Sequence, residues 1–146
     1  MPNKHPLISP EIRAKLETAR IARLATLDAG LTPHIVPICF AYDGAVFYSA
    51  IDRKPKRVAP ERLARLKNIK KTPQVALLVD QYDEDWTRLW YVLVRGEAIM
   101  ISDSAEHRRA IQHLKAKYRQ YETDMLSDDA PVLRITPVQI TAWGKF

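Results

Sequence analysis

The chain has 146 residues with 47% apolar and 27% charged side chains, which is the size and composition of one globular domain rather than a disordered segment. The formal net charge is +6, so the surface favours anionic partners: nucleic acid, an acidic membrane surface or an anionic small molecule. One cysteine excludes an internal disulfide, and no run approaches the roughly 18 apolar residues of a membrane-spanning helix.

The first predicted element is a helix over Ser9 to Arg20. Ser9 is its cap, Pro10 suits the first helical position, and Ile12, Leu16 and Ala19 share one face. The opening stretch MPNKHPLISPE lacks the apolar core of a signal peptide, which makes a cytoplasmic protein the expectation. RIARLATLD reads as a strand, DAG as a turn, and TPHIVPICFAY as a returning strand. Pro33 and Pro37 cannot donate to a ladder, so they imply an edge or a strand end. Asp43-Gly44 is a hairpin signal leading into AVFYSAI.

Next comes DRKPKR, residues 52 to 57, and then a helix over residues 60 to 71 ended by Thr72-Pro73. QVALLVD is nearly all apolar, which predicts a strand buried on both faces. WTRLWYVLVRGEAIMIS predicts a long strand bent at Gly96. A third helix is expected over 103 to 121, with Asp103 and Glu106 as a capping box and Leu114, Tyr118 and Tyr121 along one side. VLRITPVQITAWGKF is the last strand. Six strands joined mostly by hairpins, without regular βαβ alternation, predict a mainly β domain: a small antiparallel barrel with peripheral helices, over residues 1 to 146.

No catalytic motif is present. There is no P-loop, no Gly-x-Gly-x-x-Gly and no Gly-x-Ser-x-Gly. His107 and His113 are six apart, which is not metal-ligand spacing on one helix face, so no metal site is expected. His34 reads as a surface or barrel-rim histidine and Cys39 as a buried filler. With four glycines in all, any phosphate must be held by Lys, Arg and hydroxyl groups or by a helix N-terminus. From Arg53 to Lys71 there are nine basic residues and one acid, whereas Asp80 to Trp86 carries four acids. Lys54 and Lys56 alternate around Pro55 and project to one side of an extended segment; Ser49, Arg65 and Asn68 flank it. The residues alone leave three readings of this stretch: a solvated basic loop, an anion socket, or a nucleic-acid patch. No aromatic interleaves the cations between Val58 and Lys71, which weakens the third. Trp86, Trp90 and Trp143 join Tyr82 and Tyr91 as core or interface aromatics that could also wall a planar ring.

RIARLATLDAGLTPHIVPICFAYDGAVFYSAIDRKPKR, followed by LARLKNIKKTPQVALLVDQYDEDWTRLWYVLVRGEA, resembles the pyridoxamine 5'-phosphate oxidase-like split-barrel flavin-binding superfamily. Within it, the likeness is to the branch of oxidoreductases that use the deazaflavin coenzyme F-420. The resemblance covers residues 10 to 145 and implies a six-stranded split barrel forming a two-fold homodimer, with cofactor in the grooves between subunits. It implies a hydride-transferring oxidoreductase loaded with coenzyme F-420 or FMN and acting on a small organic substrate. A non-catalytic flavin, deazaflavin or haem binder is the alternative, and the histidines do not favour haem. By the same resemblance Lys54 and Lys56 grip the cofactor phosphate, with Ser49, Arg65 and Asn68 near it. Val36, Pro37, Ala50, Ile51 and Asp52 lie along the ring, and Trp86 and Trp143 approach it. The C-terminal PVQITAWGKF has neither the Arg nor the His that holds a substrate phosphate in pyridoxamine phosphate oxidases proper, which argues against that substrate.

Overall fold

The computed structural model describes residues 8 to 52 and 60 to 146, and for residues 60 to 63 the backbone only. Lys54 and Lys56 lie outside the described residues. Helix α1 spans Pro10–Thr18, with the Ser9 hydroxyl accepting from the Ile12 amide at 3.2 Å. It is shorter than expected because Ala19 is already extended. Leu16 is fully buried, and Ile12 and Ala19 pack against the core beside it.

Among the described residues seven strands follow in one antiparallel sheet: β1 Ala22–Leu27, β2 Pro33–Ile38, β3 Ala41–Tyr42, β4 Phe47–Ala50, β5 Gln74–Gln81, β6 Trp90–Ile101 and β7 Val132–Gly144. Their spatial order is β2-β1-β5-β6-β7-β4-β3. The two outermost strands, β2 and β3, are joined by Cys39-Phe40 alone, so the sheet must curl until its edges meet. This is the expected split barrel with one strand more than expected. The extra strand arises because TPHIVPICFAY breaks at Cys39-Phe40 into β2 and β3.

The Asp43-Gly44 turn joins β3 to β4 as the sequence predicts. Asp43 Oδ1 accepts from the Ala45 and Val46 amides, and Gly44 has φ of 99°, which suits glycine. The bend in β6 is also where expected, with the β6–β7 register shifting between Arg95 and Gly96. A Cβ at Gly96 would stand 2.4 Å from the Thr136 carbonyl oxygen. The atom it would meet is backbone and cannot swing aside, so Gly96→Ala is expected to destabilise the fold by about 2–3 kcal/mol in denaturant titration.

Helix α2 spans Pro60–Lys71 and α3 spans Ala105–Lys117, followed by a 3-10 turn at Arg119–Glu122. The capping box expected from Asp103 and Glu106 is not what forms. Ser104 is the cap, accepting from the His107 amide at 3.0 Å, while Asp103 takes φ of 44°. The core has two parts. The barrel interior is filled by Leu24, Phe40, Phe47, Leu77, Val79, Val92, Val94 and Ile135. A second cluster, under α3, gathers Tyr48, Ile111, Leu114, Tyr118, Tyr121 and Leu126.

Burial on β5 departs from the two-sided expectation. Val75, Leu77 and Val79 are buried, whereas Ala76 and Leu78 on the opposite face are only partly covered. By register that outer face also carries Ile35, Ala25 and Leu93, with Val138, Tyr91 and Trp143 beside them; Ile35 is 66% exposed and Trp143 53%. Among the described residues no helix is long and apolar enough to cross a membrane.

Candidate functional site

The meeting of the sheet edges is pinned by side chains from three directions. Ser49 Oγ, at the inner end of β4, donates to the Cys39 carbonyl at 2.8 Å. Tyr118 Oη accepts from the Phe40 amide at 3.0 Å and lies 2.8 Å from the Arg20 carbonyl, to which it donates. The Arg20 guanidinium lies 4.7 Å over the Tyr118 ring and donates to the Lys117 carbonyl. Burial raises the Tyr118 hydroxyl to about 12, so it stays protonated and can hold both carbonyl and amide.

Past β4 the chain exit is fixed as firmly. The Ile51 amide donates to the Pro131 carbonyl at 3.0 Å. Asp52 is 5% exposed and accepts from the Tyr121 hydroxyl. Burial, then that bond to Asp52, pushes the Tyr121 hydroxyl upward, so it remains a donor throughout the neutral range. Tyr121 and Asp52 are thus the anchor from which the basic segment departs. The sequence marked Asp52 but not Tyr121; the helical side shared by Leu114, Tyr118 and Tyr121 was the available signal.

A second corner forms where α2 crosses β1. Asn68 Nδ2 donates to Thr26 Oγ1 at 3.1 Å, and both residues are buried. Arg65, one turn earlier on the same helix face, is 6% exposed, an unusual place for a guanidinium. Thr26 pairs with His34 across the β1–β2 ladder, so their side chains share the inner face with Val36, whose partner is Leu24. Among the described residues His34 Nδ1 is buried without a hydrogen-bond partner. Thr26 and His34 are missed by the sequence reading as site residues.

The expected site residues therefore fall into two groups. Ser49, Ala50, Ile51 and Asp52 lie at the closed edge, which the Ser49 bond ties to the end of β2, two residues beyond Pro37. Val36 faces inward and Pro37 is exposed on the outside of β2. Arg65 and Asn68 sit at the α2 corner. Trp86 and Trp143 are not part of this arrangement within one chain. Trp86 is 71% exposed in a 3-10 turn at Trp86–Arg88. Trp143 stacks on Tyr91 at 5.8 Å between ring centroids, three strands away from β2 through β6, β5 and β1.

One buried cation lies to the side of these groups. Lys117 Nζ sits 3.9 Å from the Phe40 ring centroid and has no hydrogen-bond partner among the described residues. Burial, then the neighbouring Arg20, lowers its pKa to about 8. The unfolded chain, with lysine near 10.5, binds the extra proton between pH 8 and 10.5. Native stability should therefore rise with pH across that window, and the full penalty is present below pH 8. Lys117→Met is expected to stabilise the fold at pH 7 by about 1 kcal/mol, a value discounted for partial exposure, and to remove this rise between pH 8 and 9.5. Urea titrations of both proteins at several pH values check it.

A family model described as pyridoxamine 5'-phosphate oxidase matches residues 8–144. No curated protein sequence matches the chain. Solved structures share the fold. The heme storage protein HutZ of Vibrio cholerae superposes with a TM-score of 0.71 at 18% identity, covering 94% of each chain. A FAD-binding protein of Mesorhizobium loti gives 0.67 at 23% identity, covering 90% of this chain and 89% of its own. An F-420 reductase gives 0.63 at 22% identity, with 97% and 98% covered. At these identities the likeness is one of fold.

Proposed function

This chain belongs to the pyridoxamine 5'-phosphate oxidase family, and from that premise we propose that it is an oxidoreductase that moves a hydride through a bound deazaflavin, coenzyme F-420, or through FMN. The observation that carries the reading is the inner corner at α2, where Arg65, buried as a cation, stands one helical turn from Asn68, which is bonded to Thr26. A guanidinium near hydroxyl and amide groups is a donor set that can hold a phosphate.

In this reading Arg65 and Asn68, with Lys54 and Lys56, hold the phosphate. Ser49, Ala50, Ile51 and Asp52 on one side and Val36 and Pro37 on the other provide the backbone along which the ring rests. The cofactor supplies the hydride chemistry when bound. The protein's own part is to bind, orient and shield, so the absence of a catalytic triad is no obstacle. Tyr121 contributes by fixing the Asp52 carboxylate and with it the departure point of the basic loop.

We further infer a homodimer. The outer sheet face carries Ile35, Ala76, Leu78, Leu93, Val138 and Trp143 among Arg23, Asp80 and Arg95, these apolar side chains are at most partly covered within the chain, and a second copy is the occupant proposed for the face. A partner subunit would also bring Trp86 and Trp143 to a ring that they do not approach within one chain.

Equilibrium titration of the protein with FMN and with coenzyme F-420, followed by cofactor fluorescence, tests the reading. Binding of one of them tighter than about 100 μM is expected; a Kd of that size is about 5.5 kcal/mol. Binding without reduction of any candidate substrate would leave the non-catalytic carrier. Haem binding with no flavin or deazaflavin binding would replace the redox reading by the haem-handling one, which the fold likeness to HutZ keeps in view.

A further inference from the structure

Buried polar atoms are nearly always hydrogen-bonded, because an orphaned one loses its water without compensation. His34 Nδ1 is such an orphan, and its surroundings say what it lacks. β2 alternates strictly along this stretch. Ile35 and Pro37 stand on the exposed face, whereas His34, Val36 and Ile38 turn inward. On that inner face His34 is the cross-strand neighbour of Thr26. Thr26 in turn is tied to Asn68, and Arg65 lies one helical turn from Asn68. The imidazole is thus the cross-strand neighbour of a hydroxyl that is bonded to an amide, with a buried cation one helical turn further along α2. Nothing among the described residues takes up its inner nitrogen.

We propose that His34 completes the anion-binding corner by donating a hydrogen bond from Nδ1 to an oxyanion of the bound cofactor, its phosphate. The inference rests on the cofactor reading above and adds a residue to it. His34 is a binding residue, with no part in hydride transfer itself. The same geometry explains why the orphan is tolerated. In the cofactor-free protein the buried nitrogen costs stability, and the phosphate offsets that cost on binding. Removing the nitrogen should therefore help the empty fold and harm the loaded one, the opposite of a structural histidine.

The experiment compares wild type, His34→Leu and His34→Asn. Each is titrated with FMN and coenzyme F-420, and with their phosphate-free forms, riboflavin and deazariboflavin. His34→Leu should weaken the phosphorylated cofactor by about tenfold or more and leave the phosphate-free form unchanged. His34→Asn, which keeps a donor near the Nδ1 position, should recover part of the loss. The Tm of cofactor-free His34→Leu should equal or exceed that of wild type. In 15N-histidine-labelled wild type, the His34 Nδ1 signal should move on adding the phosphorylated cofactor and stay fixed with the phosphate-free form.

Equal losses on both forms, a static Nδ1 signal, or a lowered Tm with no phosphate-specific loss each overturn the assignment and leave the cofactor reading intact. Failure of every cofactor to bind wild type overturns both.

Discussion

The double variant Lys54→Ala, Lys56→Ala is expected to lose cofactor affinity by about 3–6 kcal/mol, two to four powers of ten in Kd. Each ammonium is assigned one charge-assisted contact to the phosphate, worth roughly 1.5–3 kcal/mol. Pro55 between them fixes its own φ and disfavours helix in the residue before it, and the expectation tested is that both lysines turn to the same side. The segment starts at Asp52, which is buried and held by Tyr121, and ends at the N-terminus of α2. That helix end adds its own attraction for an anion. By the same sequence alternation Arg53 and Arg57 are expected to face solvent, and Arg53→Ala, Arg57→Ala should change affinity by less than about tenfold. Fluorescence titration reads both, and urea titration should show both double variants as stable as wild type. An unchanged Kd for the lysine pair would return DRKPKR to a solvated loop and leave Arg65, Asn68 and His34 as the phosphate-facing groups.

The sequence made some of this visible and hid the rest for identifiable reasons. The Asp43-Gly44 turn and the Gly96 bulge were legible because each rests on a local backbone requirement that few residues meet. The burial of Ile12, Leu16 and Ala19 and of Leu114, Tyr118 and Tyr121 was legible from periodicity, but both helices end sooner than expected: Ala19 and Tyr118 are extended, and Tyr121 lies in the 3-10 turn after α3. The α3 cap was misplaced by one residue. Asp103 and Ser104 are comparable caps, and the choice was settled by the positive φ at Asp103, which no propensity records. QVALLVD was read as buried on both faces, yet Ala76 and Leu78 are left half-covered. An apolar side chain carries no mark of whether its cover comes from the same chain or from another. The tie between Tyr121 and Asp52 spans 69 positions, and the pairing of Thr26 with His34 depends on the length of one turn. Contacts of that kind come from register and topology, which is why the periodicity that marked Tyr121 as buried did not show its partner, and why nothing marked His34 as one of the site residues.

The half-covered face leads to the second large effect. Wild-type protein should run in solution as a dimer of its 16.8 kDa chain, and Ile35→Asp combined with Val138→Asp should run as a monomer. Both side chains are exposed, at 66% and 46%, so the change should cost the monomer fold little. Val138 helps to line a recess of about 450 Å³ on the outer face, together with Pro33, Ala76 and Gly96; Ile35 stands two residues along β2 from Pro33. In a two-fold pair each substitution occurs twice, placing four carboxylates in an apolar contact. Each ion taken out of water unpaired costs several kcal/mol, enough to outweigh the affinity of a standard interface of about 800 Å² per partner. Light scattering at protein concentrations from 1 to 100 μM, about the range over which a weakened dimer would dissociate, reads the result. The same variant separates assembly from binding. Arg65, Asn68, His34 and the basic segment belong to one chain, so the proposed phosphate contacts should survive in a monomer. In the proposed dimer Trp86 and Trp143 reach the ring only from the second copy. The monomeric variant should therefore keep a weakened affinity for the cofactor and lose the tryptophan quenching that accompanies binding in the dimer. A wild type that is monomeric at 100 μM, or a variant that remains a dimer, would place the second copy elsewhere and remove the tryptophans from the site.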